Sequence, residues 1–250
     1  MIRAALQRHR YGSHRHQFGD LHLPAGDAPA PLPVAVVLHG GFWRARFGLD
    51  LMDAVCADLA GHGWAAWNVE YRRLGRRSGG GVPATLDDVA AGIDHLAALD
   101  APLDLERVVT VGHSAGGQLA LWAASRAGAR VRLAGAVGQA AVSDLERAAE
   151  LQLGGGAVEA FCGGQPAARR EAYRAASPAA RLPLGVPQLL VHGEADDAVP
   201  AELSIRYAQA ARAGRDEVTL VLRSGDGHFE HLDPDSVAWG AVLAWLERFT

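Results

Sequence analysis

The stretch Val108-Val109-Thr110-Val111-Gly112-His113-Ser114-Ala115-Gly116-Gly117-Gln118-Leu119-Ala120-Leu121 decides how this chain is read. Its first part, within Arg107 to Val111, is apolar and β-rich, as a strand covered on both faces must be. Its last part, within Ala115 to Ser125, reads as a helix. Between them lies Gly-x-Ser-x-Gly. A strand that turns sharply into a helix needs small residues on both sides of the turn, where backbone passes close to backbone. The serine then stands out at the apex, beside a helix N-terminus that favours negative charge. The pentapeptide alone arises often by chance. In this strand–helix setting it marks Ser114 as a nucleophile.

Outward from this point, apolar runs alternate with helical periods. Gln17 to Leu23 alternates as an edge strand would, and Val34 to Leu38 is a continuous apolar run. Leu49 to Leu59 reads as a helix that Gly61 and Gly63 stop, and Trp64 to Val69 is the next strand. Thr85 to Leu99 is an amphipathic helix with Leu86, Val89, Ala90, Ile93, Leu96 and Ala97 on one face. Leu133 to Val137 and Pro187 to Val191 are further strands, helix Ala201 to Ala213 follows, and Glu217 to Leu222 is the last strand. Asp233-Pro234 is expected to open a final helix as N-cap and first-turn proline. Trp239, Val242, Leu243, Leu246 and Phe249 would line its buried face. This alternation predicts one α/β domain over 1–250, a mostly parallel central sheet with helices on both faces. Ligands then belong at the carboxyl ends of the strands. The segment 140–184 breaks the pattern with short helical pieces and a Gly154-Gly155-Gly156 joint. It is expected to form a small cap over those ends.

Three further loops follow strands. His39-Gly40-Gly41-Phe42-Trp43 carries a glycine pair that lets backbone donors face a reacting carbonyl. The expected oxyanion donors are the Gly41–Phe42 segment and the Ala115 N–H, with Phe42 and Trp43 beside the substrate. The loop from His192 to Pro200 offers three competing acids, Glu194, Asp196 and Asp197. The loop Gly225-Asp226-Gly227-His228-Phe229-Glu230-His231 offers two competing bases. There the glycines let His228 turn back over the sheet, whereas His231, just before the expected final helix, is better placed to pack at its entry. A chain order of nucleophile, acid, histidine is the one this strand–helix elbow carries in its known setting. His39 is read as structural, and Glu70 to Arg73 as an anchor for the loop 75–81. His9, His14 and His16 are read as part of a solvated, arginine-rich segment.

Taken together, His39-Gly40-Gly41-Phe42-Trp43, Asn68-Val69-Glu70-Tyr71-Arg72, Gly112 to Gly117 and His192-Gly193-x-x-Asp196 resemble α/β-hydrolases related to kynurenine formamidases and small carboxylesterases. A more distant resemblance is to prolyl-oligopeptidase-like catalytic domains. The resemblance implies the α/β-hydrolase fold, Asp196 as the triad acid and His228 as the base. Phe42 stands where kynurenine formamidases typically carry tyrosine. The expected reaction is cleavage of a small-molecule ester or simple amide through an acyl-enzyme. An arylformamidase and a peptidase are the rivals within the class, the peptidase disfavoured because no gating propeller is visible. A non-catalytic binding protein on the same fold is the rival outside it.

Composition excludes other classes. The formal net charge is −4, and all 24 cationic side chains are arginine, with no basic footprint for nucleic acid. Cys56 and Cys162 have no metal-ligand spacing and are expected to be reduced core thiols. No apolar run suggests a leader or a membrane span. A soluble cytoplasmic protein with no metal or cofactor, no nucleic-acid partner and no membrane partner is therefore expected; its oligomeric state is left open.

Overall fold

The computed structural model describes residues 6–26 and 31–250. Its strands are β1 (Leu6–Arg10), β2 (Phe18–His22), β3 (Leu32–Leu38), β4 (Ala65–Val69), β5 (Leu103–His113), β6 (Gly135–Gln139), β7 (Gln188–Gly193) and β8 (Val218–Arg223). They form one sheet in the order β1-β2-β4-β3-β5-β6-β7-β8. The pairings from β4 through β8 are parallel, and β1–β2 and β2–β4 are antiparallel.

All seven residues of β3 are buried, and the pleat sends them alternately to two cores. Val34, Val36 and Leu38 join one apolar cluster. Ala35 and Val37 join another. Helices α1 (Asp53–Gly61) and α8 (Val237–Leu246) cover the second face with Val55, Cys56, Leu59, Trp239 and Val242. Helices α2 (Ala84–Asp94) and α3 (Ala115–Ala124) cover the first with Val89, Ile93, Leu119 and Ala120. Helix α7 (Glu202–Ala213) extends that layer through Tyr207 and Ala211 over Leu190. Cys56 and Cys162 are both free and buried. Burial raises the Cys56 thiol well above its ordinary range and Cys162 to about 12, so neither is a nucleophile at neutral pH.

The segment 140–184 contains α4 (Leu145–Glu150), α5 (Ala157–Cys162), α6 (Arg170–Ala176) and a 3₁₀ turn, Pro178–Arg181. Val158, Phe161, Cys162, Tyr173 and Ala176 from these pieces belong to the same cluster as α2 and α3. This segment thus shares the main core and has none of its own.

Three expectations are corrected. Gln17 to Leu23 is not the edge: β1 pairs outside it. β1 shows no apolar alternation because it is the exposed margin, and the Arg8 guanidinium holds it through two 2.7 Å bonds to Asp20. The N-terminal histidines are therefore not all in a solvated tail; His16 Nδ1 lies 2.9 Å from Arg73. The final helix begins at Val237 with Ser236 as its cap, which accepts from the Trp239 N–H at 3.0 Å. Asp233 instead closes a local turn onto the Asp235 N–H. No helix among the described residues is long and apolar enough to cross a membrane.

Candidate active site

Ser114 sits between β5 and α3 with φ 57 and ψ −119. This backbone region is costly for a residue with a side chain, on the order of 1–3 kcal/mol. Close packing enforces it. A Cβ on Gly116 would strike the Leu38 carbonyl, and one on Gly112 would strike the carbonyl of Gly116. The Ser114 N–H donates to the Gln139 carbonyl at 2.8 Å, which ties the elbow to the end of β6.

Asp196 and His228 come from the loops after β7 and β8. The His228 Nδ1 and an Asp196 carboxylate oxygen lie 2.7 Å apart. The other Asp196 oxygen accepts from the Ala198 and Val199 N–H groups at 2.9 and 2.8 Å. His192 Nε2 adds a contact at 3.3 Å. Burial pushes the Asp196 carboxyl up, but the bonds from His192, His228 and Val199 outweigh it and hold its pKa well below the carboxylate range. Glu194 and Asp197, the competing acids, are exposed.

His113 links the His228 loop to the elbow. Its Nε2 lies 2.7 Å from the His228 carbonyl oxygen, and the two rings are 4.6 Å apart. A carbonyl only accepts, so Nε2 carries the proton. Burial and the neighbouring His228 lower the His113 pKa to about 3 and keep the ring neutral. His231 is fully buried, and neither of its ring nitrogens has a hydrogen-bond partner among the described residues. Burial, with the nearby His192 and His228, lowers its pKa to about 4. Ser114 Oγ and His228 Nε2 form no hydrogen bond with each other here. Such bonds are often long in unliganded hydrolases and tighten with substrate.

The loop after β3 approaches from the other side. A Cβ on Gly40 would lie 3.0 Å from the Ser114 Cβ, so this loop packs directly on the elbow. Gly41, Phe42 and Trp43 all have positive φ, at 99, 49 and 54 degrees. The N–H groups of Phe42 and Ala115 find no acceptor among the described residues. Phe42 is half-buried, and its ring lies against Gly154 of the 140–184 segment, where a Cβ would be 2.7 Å from it.

Trp43 departs from its expected place beside the substrate. It has no exposed surface, stacks on Phe161 of α5 at 4.2 Å and 10 degrees, and donates its indole N–H to Gln118 at 3.0 Å. An indole buries a large apolar area, and its N–H here has the partner that burial requires. Beneath the loop, His39 stacks on Tyr71 at 4.3 Å and contacts Glu70 at 3.1 Å. Glu70 also pairs with Arg73 at 2.9 Å and accepts from the Tyr71 N–H. Burial raises the Glu70 carboxyl, but His39 and Arg73 reverse this and lower its pKa. This network anchors the glycine loop as well as the 75–81 segment. Among the described residues no group of three or more His, Cys, Asp or Glu side chains could hold a metal ion.

The loops meet around a serine at a strained elbow, and the fold and site together define an α/β-hydrolase. The chain belongs to the prolyl oligopeptidase family, whose profile matches residues 45–249. No curated protein matches the chain by sequence. Among solved structures, a truncated carbohydrate esterase from gut microbiota is 16% identical, covers 99% of this chain and 97% of its own, and superposes at a TM-score of 0.83. Esterase B from Lactobacillus rhamnosus, at 19% identity, covers 99% of this chain and 85% of its own at 0.83. A thermophilic esterase from Thermogutta terrifontis, at 22% identity, covers 99% and 91% at 0.76. None of these is a kynurenine formamidase, and the matching family is the one its motifs resembled more distantly.

Proposed function

We propose that this chain hydrolyses small carboxylic esters through an acyl-enzyme on Ser114. One observation carries the reading: the 2.7 Å contact between Asp196 and His228, made by a loop whose His228 carbonyl lies 2.7 Å from the His113 Nε2 beside Ser114. In this reading His228 takes the Ser114 proton as the oxygen attacks the ester carbonyl. Asp196 holds the imidazole in the tautomer with Nδ1 protonated. The Phe42 and Ala115 N–H groups receive the developing oxyanion. Collapse of the intermediate expels the alcohol, which takes the proton from His228. Water then attacks the acyl-enzyme by the same route and releases the acid. No cofactor enters.

An ester is favoured because structures of this fold that resemble the chain are esterases by name. Short acyl groups are favoured because Ser114 is only 1% exposed. A peptide bond is the second reading, supported by the family to which the chain belongs. Ser114→Ala should lower kcat on nitrophenyl acetate by about 10⁶-fold and abolish labelling by a fluorophosphonate, with the circular dichroism spectrum unchanged. An active, labelled variant would refute the proposal. A panel of nitrophenyl acetate, butyrate and dodecanoate, N-formylkynurenine and a proline amide assigns the bond and chain length. The highest kcat/KM is expected for acetate or butyrate.

A further inference from the structure

We propose that Gln118 is a positioning residue that sets the oxyanion loop, joining the elbow helix, the loop and the cap. The inference rests on the proposed function and deepens its account of the site.

Gln118 lies in the first turn of α3, four residues after Ser114, and is fully buried. Its backbone N–H donates to the Ser114 carbonyl at 3.1 Å, so its position follows the elbow. Its side-chain carbonyl accepts the Trp43 indole N–H at 3.0 Å. Its side-chain N–H₂ donates to the Ala176 carbonyl, the last residue of α6, at 2.8 Å. The amide has one possible orientation. An indole only donates and a backbone carbonyl only accepts, so a flipped amide would set donor against donor and acceptor against acceptor. Both partners are therefore held at once.

Trp43 needs holding. It and Phe42 occupy left-handed backbone, which β-carbons disfavour, and the chain would relax without tertiary restraint. Trp43 stacks on Phe161 of the cap, but stacking leaves a ring free to slide in its plane. The hydrogen bond to Gln118 fixes the indole along that plane. Trp43 is also bonded to Phe42, whose unpaired N–H is the proposed donor. An indole that shifts would carry that N–H with it, and oxyanion stabilisation depends steeply on where the donor points. The cap then acts as the fixed wall against which the loop is clamped through Gln118.

The test uses Gln118→Met, which removes both hydrogen bonds at similar volume, and Trp43→Phe, which removes the indole N–H and keeps an aromatic ring over Phe161. Wild-type turnover and fluorophosphonate labelling are measured first. Each variant should lower kcat by about 10- to 100-fold, less than outright loss of a donor, with KM within threefold. Binding of a trifluoromethyl ketone analogue of acetate esters should weaken by the same factor as kcat/KM. The double variant should be no slower than the slower single one, because the Trp43–Gln118 link that Trp43→Phe breaks is already broken by Gln118→Met. A lowered melting temperature with kcat unchanged, a loss carried by KM, or multiplicative losses in the double variant would overturn the inference and leave the proposed function standing. An inactive, unlabelled wild type would overturn both.

Discussion

On one side of Ser114, three consecutive residues hold positive φ angles, and a buried tryptophan is clamped between an amide and a phenylalanine of α5. On the other, Asp196 and His228 meet through charge and hydrogen bonds, on loops whose nearest restraints are backbone N–H groups, His192 and His113. The first side is strained backbone held by packing. The second is a polar network held by donors and acceptors. The glycine loop places neutral N–H groups, which need position alone, and close packing supplies position. The proposed acid–base pair must also hold a charge and a tautomer, which packing cannot provide.

The contrast is broken most severely at the carboxylate. Asp196→Asn should cost about 10⁴-fold in kcat, because the amide favours the wrong histidine tautomer. The exposed Asp197, changed to Asn, should leave kcat within twofold. If Asp197→Asn is the crippling change, the polar side has been assigned to the wrong acid.

A smaller effect sharpens the packed side. Phe161→Leu removes the ring under Trp43 and should cost about 1–3 kcal/mol in urea unfolding. Because no titrating group makes that contact, the loss should be equal at pH 5.5 and pH 8. A loss that changes with pH would mean that this side also depends on charge.

The smallest effect belongs to the polar side and depends on pH. His113 and His231 titrate near pH 3 and pH 4 when folded, lowered first by burial. Unfolded, they titrate near 6.5. Between these values the unfolded chain binds protons that the folded chain refuses. Their contribution is thus complete above pH 6.5 and is lost as pH falls toward 4 for His231 and toward 3 for His113, at no more than about 1.4 kcal/mol per pH unit for each. His231→Leu should make the decline shallower by up to one such increment. A slope identical to wild type would show that His231 is not held neutral.

Most strands and helices were legible because their signals are local. Apolar runs, glycine stops and one amphipathic face lie within single elements. The failures lie where an element takes its stability from a neighbour. β1 has no apolar face, and Asp20 and Phe18 on β2 explain Arg8. Asp233-Pro234 is a sound helix start by itself, but Ser236 lies where its oxygen meets the Trp239 N–H.

The sequence by itself determined the fold class and the elbow. A strand must turn within Gly112 to Gly116 without colliding with Leu38 and with itself, and only glycines allow it. It also determined the pool of acids and bases, because those residues follow strands. The motif resemblance singled out Asp196 and His228 within that pool, and tertiary structure brings the two together. Asp196 and His228 lie 32 residues apart, and His113 and His228 lie 115 apart. Tertiary structure alone put Trp43 into the core, stacked on Phe161 of a segment whose path no periodicity in 140–184 records. Spacing along a chain specifies which side chains share a face of one element. Which faces converge depends on how elements pack, and that energy belongs to the whole core.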